Sequence, residues 1–262
     1  MYDRNKGFYI IIPRDLVRDK IENSKDRSGI LLAYCWMKRF GTIDGLFEGQ
    51  MIQICQRMNL YYDKSKKKAL PKQIASFITG IDYLIKAGII ELIKGDYHNM
   101  SDYFQIKFIP LKCDVFVAMN IKYFDFVLKN EKRINKSYLL YLLLFVLSCY
   151  TIMEIDGKKC NVCACSYSLK YISQETGLSI SSIFKYLNQL SKKGKSSSNA
   201  PLIKSSQWYT KIDDNIYNFP NIYVENDDNA STIIRYQKHF IRSLLIKGEL
   251  KSSEYFDDYD LF

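Results

Sequence analysis

Few residues in this chain are spaced for bond-making chemistry. Histidine, the commonest general base and metal ligand, occurs only at His98 and His239. They lie 141 residues apart, so the paired-histidine metal site of rolling-circle nicking enzymes is not spelled out, despite 21 tyrosines. Cys160, Cys163 and Cys165 have a spacing that suits zinc, but structural zinc sites take two paired Cys or His motifs, and no second pair lies near in sequence. His98, His239 and Cys113 would have to approach in the fold; otherwise Cys163 and Cys165 simply alternate on one buried face of a strand. Gly194-Lys195-Ser196 is similar to the end of a phosphate-binding loop, but Gln189 stands where that motif needs its first glycine. These residues predict no catalytic constellation, no cofactor and no bound metal.

The residue types favour hydrogen bonding to a polyanion instead. Residues 168–190 read as a helix, a tight turn at Gly177 and a second helix capped by Ser179. Ile172, Leu178, Ile183 and Leu187 fall where two crossing helices bury apolar side chains, and Leu190 continues the stripe. Ser181, Ser182, Lys185, Asn188, Gln189, Lys192 and Lys193 lie outside it and can bond base edges or phosphates. This is the layout of a helix-turn-helix that sets its second helix in a DNA major groove; the plainer reading is an αα-hairpin with a solvated face.

The elements that must position this motif recur. An apolar helix over 136–153 leads into Ile155-Asp156-Gly157, a strand over 161–166 and the helix-turn-helix. Earlier, an apolar helix over 27–40 leads into Ile43-Asp44-Gly45, then helices over 50–58 and 71–87. Ile74, Phe77, Ile81 and Leu84 match Ile180, Ile183, Leu187 and Leu190 at a constant offset of 106. Strands follow each copy, over 89–93 and 104–109 and over 202–206 and 216–224, as the hairpin "wing" of a winged helix. The first copy carries extra residues near Tyr61–Lys68, so Lys64, Lys66, Lys67, Lys68 and Lys72 are expected to grip phosphate, with Gln73 and Ser76 also on DNA. At the same offset Lys185 and Asn188 correspond to Thr79 and Asp82, so the second copy is expected to read sequence. The expected fold class is α+β and helix-rich: tandem winged-helix domains over 1–115 and 116–226, then a C-terminal helix and acidic tail over 227–262.

A chain of 262 residues with 47% hydrophobic content can build such cores, and a net charge of +10 favours nucleic acid as partner. The N-terminus carries no signal-peptide pattern, and the seven cysteines sit mostly in apolar runs, as reduced thiols do. Residues 137–153 fall short of the roughly 20 that span a bilayer and read as a buried helix. The expectation is a cytoplasmic protein with no membrane contact.

The run Phe8-Tyr9-Ile10-Ile11-Ile12-Pro13-Arg14-Asp15-Leu16 and the segment Leu84-Ile85-Lys86-Ala87-Gly88-Ile89-Ile90 resemble winged-helix replication initiators of plasmids and phages in low-GC Gram-positive bacteria. The resemblance covers about 1–226 through generic motifs. It implies binding to repeated origin sites, a dimer or a monomer–dimer switch, and recruitment of host replication proteins. Ile180 and Phe184 depart from it: such helices usually carry polar or small residues there, so this i, i+4 pair would meet thymine methyls or protein.

A last helix is expected from Ser231 as N-cap, with Lys238, His239 and Arg242 flanking its apolar positions. Beyond Lys251, Glu254, Asp257, Asp258 and Asp260 reverse the charge, and the end, Asp258-Tyr259-Asp260-Leu261-Phe262, is similar to sliding-clamp-binding motifs without their leading Gln. The alternative is a solvated tail that shields basic surface. The combined expectation is a sequence-specific double-stranded DNA-binding protein, a plasmid or phage replication initiator. The alternatives are a winged-helix transcriptional regulator and a protein-interaction adaptor.

Overall fold

The computed structural model describes residues 8–18, 24–60, 72–110, 115–129, 135–155, 157–191, 201–212, 215–226 and 229–247. The protein is mixed α+β, and its chain divides into two compact units, Met1–Tyr141 and Leu142–Phe262.

The first unit opens with β1 (Tyr9–Pro13), α1 (Arg14–Arg18) and α2 (Ser24–Phe40). There follow β2 (Leu46–Gln50), α3 (Met51–Arg57), α4 (Lys72–Lys86), β3 (Ile90–Lys94) and β4 (Tyr103–Phe108). Then come β5 (Phe116–Asn120), α5 (Ile121–Lys129) and the start of α6 (Lys136–Leu147). An antiparallel three-stranded sheet has the order β2-β4-β3. β5 starts just past the expected 115/116 boundary, yet its whole length pairs antiparallel with β1. Neither β1, β2, β5 nor α5 was expected from sequence, because each is short and its apolar residues carry no long period.

Two features lock this unit. The first is close contact between α2 and α4. Neither Gly29 nor Gly80 has a side chain, and a Cβ on Gly80 would come within 2.6 Å of the Gly29 carbonyl oxygen. Helix backbones can therefore meet directly. Trp36 of α2, buried at their contact, lies edge-on to Phe77 and to Phe124, with ring centroids 6.2 and 6.5 Å away. The second is Lys136, which is fully buried. Its ammonium donates to the carbonyls of Met58, the C-cap of α3, and Leu128, near the end of α5, at 2.8 Å each. A cation is well placed on the negative ends of two helices. Burial nevertheless holds the Lys136 pKa below its ordinary 10.5.

The second unit begins within α6 and continues through β6 (Tyr150–Ile155), β7 (Lys158–Cys165), α7 (Leu169–Thr176) and α8 (Ile180–Ser191). It ends with β8 (Ile203–Ile212), β9 (Asn215–Glu225) and α9 (Ala230–Ile246). Its four-stranded sheet has the order β6-β7-β9-β8. The helix expected over 136–153 stops at Leu147, where the Ser148 hydroxyl donates to Phe145 O at 2.7 Å. Beyond it, β-branched Thr151, Ile152 and Ile155 take the extended form and pair with β7, which starts three residues before the expected strand.

The element order of the two units matches. α2, β2, α3, α4, β3, β4 in the first and α6, β7, α7, α8, β8, β9 in the second share the order helix, strand, helix, helix, hairpin. In both sheets the first strand pairs with the last and the middle strand takes the edge, with β6 added outside β7. The glycines of the two Ile-Asp-Gly sequences, Gly45 and Gly157, both have positive φ, 82° and 73°.

Candidate nucleic-acid interface

The second unit builds its helix pair from local hydrogen bonds. Ser168 is extended and its Oγ accepts from the Tyr171 N–H at 3.0 Å, capping α7. Gly177 ends α7 in the left-handed region, φ 65° and ψ 9°, and its N–H donates to Ser173 O at 2.8 Å. Only glycine takes that conformation without a Cβ penalty. The Ser179 carbonyl accepts from Ile183 N at 3.0 Å and its hydroxyl from Ser182 N at 3.3 Å, so Ser179 caps α8. Ile172, Leu178, Ile183, Leu187 and Leu190 are buried, joined by Tyr186, whose hydroxyl-bearing ring gave no apolar signal in sequence.

The opposite side of α8 is open. Ser181 and Lys185 are exposed and Asn188 half-buried, and their i, i+4, i+7 spacing puts them on one strip away from the buried stripe. Ser182 and Gln189, both half-buried, border that strip on one side. Ile180 and Phe184 border it on the other and are 42% and 53% exposed. The hydroxyls of Ser179, Ser181 and Ser182 form a linked cluster, at 3.1 and 2.9 Å, over the first turn. The Lys185 ammonium stands 5.5 Å from the Tyr186 ring centroid, which draws it along the helix surface. α8 carries no acidic residue, so the strip is a row of hydrogen-bonding groups with one fixed positive charge. Lys192 and Lys193 lie outside the described residues.

The first unit presents a different surface. Lys72, Ala75, Thr79, Asp82 and Lys86 form the exposed strip of α4. Gln73 and Ser76, expected on DNA, are half-buried beside that strip and make contacts within the protein. Gln73 Oε1 accepts from the backbone N–H of Lys136 at 2.9 Å, and Ser76 packs where a side chain on Gly29 would stand. The Ser76 contact follows from the direct α2–α4 approach, whereas Gln73 meets the start of α6. Asp82 is engaged as well. Its carboxylate accepts from the Tyr97 hydroxyl at 2.6 Å and lies 3.3 Å from His98 Nε2, both from the β3–β4 connection. Burial, then the Asp82 hydrogen bond, pushes the Tyr97 pKa well above its ordinary value. Lys64, Lys66, Lys67 and Lys68 lie outside the described residues, as do Asp258, Tyr259, Asp260, Leu261 and Phe262.

Among the described residues, no three His, Cys, Asp or Glu side chains are grouped to hold a metal. Cys163 donates to Val146 O of α6, and Cys165 is fully buried. No helix among the described residues is long and apolar enough to cross a membrane. The Ser231 expected to cap the last helix lies inside α9, because the helix starts at Ala230 after Asn229, and its hydroxyl accepts instead from Lys204 Nζ at 2.6 Å. Sequence reasoning passed over Trp208 and Arg235, which join Lys238, His239 and Arg242 in lining a cavity of about 430 Å³. The i, i+3, i+4, i+7 spacing from Arg235 to Arg242 was the available signal. No protein-family model matches the chain, and no curated protein matches it.

Proposed function

We propose that the protein is a non-catalytic, cytoplasmic, sequence-specific double-stranded DNA-binding protein with two winged-helix units, serving as a plasmid or phage replication initiator. The observation that carries this reading is the outer strip of α8, Ser181, Lys185 and Asn188, presented behind a capped α7 and a left-handed Gly177 turn. Lys185 can donate to guanine O6 or N7, Asn188 can bond adenine bidentately, and the serine hydroxyls suit either base edges or phosphate. The hairpins β3–β4 and β8–β9 follow α4 and α8 in the chain, which supports reading them as wings. In the first unit Asp82, tied to Tyr97 and His98, stands on the exposed strip where α8 carries Asn188, and a carboxylate there is a poorer reader of base edges than the amide. That supports a division of work in which α8 reads bases and the first unit holds the backbone.

One observation favours a second reading. Ile180 and Phe184 form an exposed apolar pair beside the strip, which suits a protein partner as well as thymine methyls. Selection of bound sequences from a random duplex pool separates the possibilities. Direct repeats support an initiator, a single palindrome supports a transcriptional regulator, and no enrichment contradicts sequence-specific binding and favours an adaptor.

A further inference from the structure

The groove along α9 lies on the other face of the second sheet from α6, and no residue of α8 packs in its apolar cluster. Side chains alternate across a strand. Val162 and Ala164 of β7 and Ile222 and Val224 of β9 pack with Ala230, Ile233, Ile234 and Ile241 of α9 in one cluster that holds no residue of α6, α7 or α8. Cys163, on the alternate face of β7, bonds Val146 O of α6. Lys204 pairs in register with Val224 and so shares the α9 face, where it reaches Ser231.

The outward side of α9 carries a row of cations beside the exposed Phe240 and Ile246. Its 17 residues include Arg235, Lys238 and Arg242 and no Asp or Glu. No carboxylate among the described residues forms an ion pair with any of the three. With Ser231, His239 and Trp208 they line the cavity of about 430 Å³. Trp208 forms its floor, stacked on Phe219 at 4.2 Å and 9°, with Lys238 6.0 Å from its ring centroid. The Trp208 indole N–H is buried and has no acceptor among the described residues. A wall of cations that no carboxylate among the described residues pairs is a site for an anion with many acceptor oxygens. Arg235 to Arg242 covers roughly 10 Å along the helix at about 1.5 Å per residue. Successive phosphates of a duplex strand rise about 3.4 Å along its axis, so the row spans about three such steps. Guanidinium groups suit phosphate because they donate as a planar fork.

We infer that the α9 groove binds the phosphate backbone of a second nucleic-acid segment, so that the second unit holds two nucleic-acid segments. The inference rests on the reading that α8 engages the first segment. It is tested with the full chain, a donor-labelled duplex carrying the selected sequence and an acceptor-labelled duplex of random sequence. Energy transfer is expected when both are present. A variant with Arg235→Gln, Lys238→Gln and Arg242→Gln is expected to lose affinity for the second duplex about tenfold, through fewer released counterions, while binding the first within about twofold. These side chains are surface-facing, so an unchanged thermal melt accompanies the expected result. Energy transfer that persists in the variant, or that the natural chain never shows while binding the first duplex, overturns the inference. Transfer that appears only in a chain ended at Lys251 assigns the groove to the acidic residues beyond it, and also overturns it. Failure to bind the first duplex sinks the α8 reading itself.

Discussion

Lys136 carries more structural weight than any residue singled out for binding. Its ammonium joins the carbonyl ends of α3 and α5, and its own N–H meets Gln73 of α4. Lys136→Met keeps the apolar stem but leaves two buried carbonyls without a donor. The expected loss is about 2–4 kcal/mol of stability, read by urea unfolding. The pH dependence has a definite sign. Because the folded pKa lies below the ordinary 10.5, the unfolded chain holds the proton more tightly in the interval between them. Natural-chain stability relative to Lys136→Met should therefore rise as pH climbs through that interval toward 10.5. A gap that narrows over the same range would contradict the desolvation account. On α8, Ile180 and Phe184 are open to solvent, so Phe184→Ser is expected to shift stability by less than about 0.5 kcal/mol. A larger loss would mean that Phe184 is covered in solution.

At the scale of elements, the two glycine devices differ in kind. Gly177 answers a backbone requirement, and Gly177→Val is expected to cost about 1–2 kcal/mol through strain at positive φ. Gly80 answers a packing requirement, and Gly80→Ala drives a Cβ into the Gly29 backbone, costing about 1–3 kcal/mol. Denaturation midpoints of both variants test this; a neutral Gly80→Ala would show that α2 and α4 can slide apart cheaply. The first device was legible in sequence, because Gly177 stands between two apolar periods and before a capping serine. The second was not, because a glycine inside a helix gives no hint of what approaches it. The same limit explains Gln73 and Ser76. Both were expected on an outer face, and their contacts come from partners distant in sequence, α6 for Gln73 and α2 for Ser76. The strand β6 was missed because its residues continue an apolar run with no break in hydrophobicity at Ser148. The buried stripes of α4 and α8 were legible because a period of 3.6 survives tertiary packing.

At the scale of the whole molecule, a net charge of +10 is distributed unevenly in its uses. Some cations are structural, as with Lys136 and the buried Arg27, which donates to Val17 O and the Tyr141 hydroxyl at 3.1 Å each. Others face outward on α8, α9 and the ends of α4. If Lys66, Lys67 and Lys68 hold phosphate, replacing all three by Gln lowers the slope of log affinity against log salt by about 2–3. An unchanged slope would remove that segment from the interface. The central claim is that the outer strip of α8 reads base sequence. Its most direct test is the ratio of affinities for the selected and a scrambled duplex, compared between the natural chain and a Ser181→Ala, Lys185→Ala, Asn188→Ala variant at fixed salt. The account predicts that the ratio collapses by about tenfold or more while affinity for the scrambled duplex falls only slightly. An unchanged ratio, or equal loss on both duplexes, would contradict it.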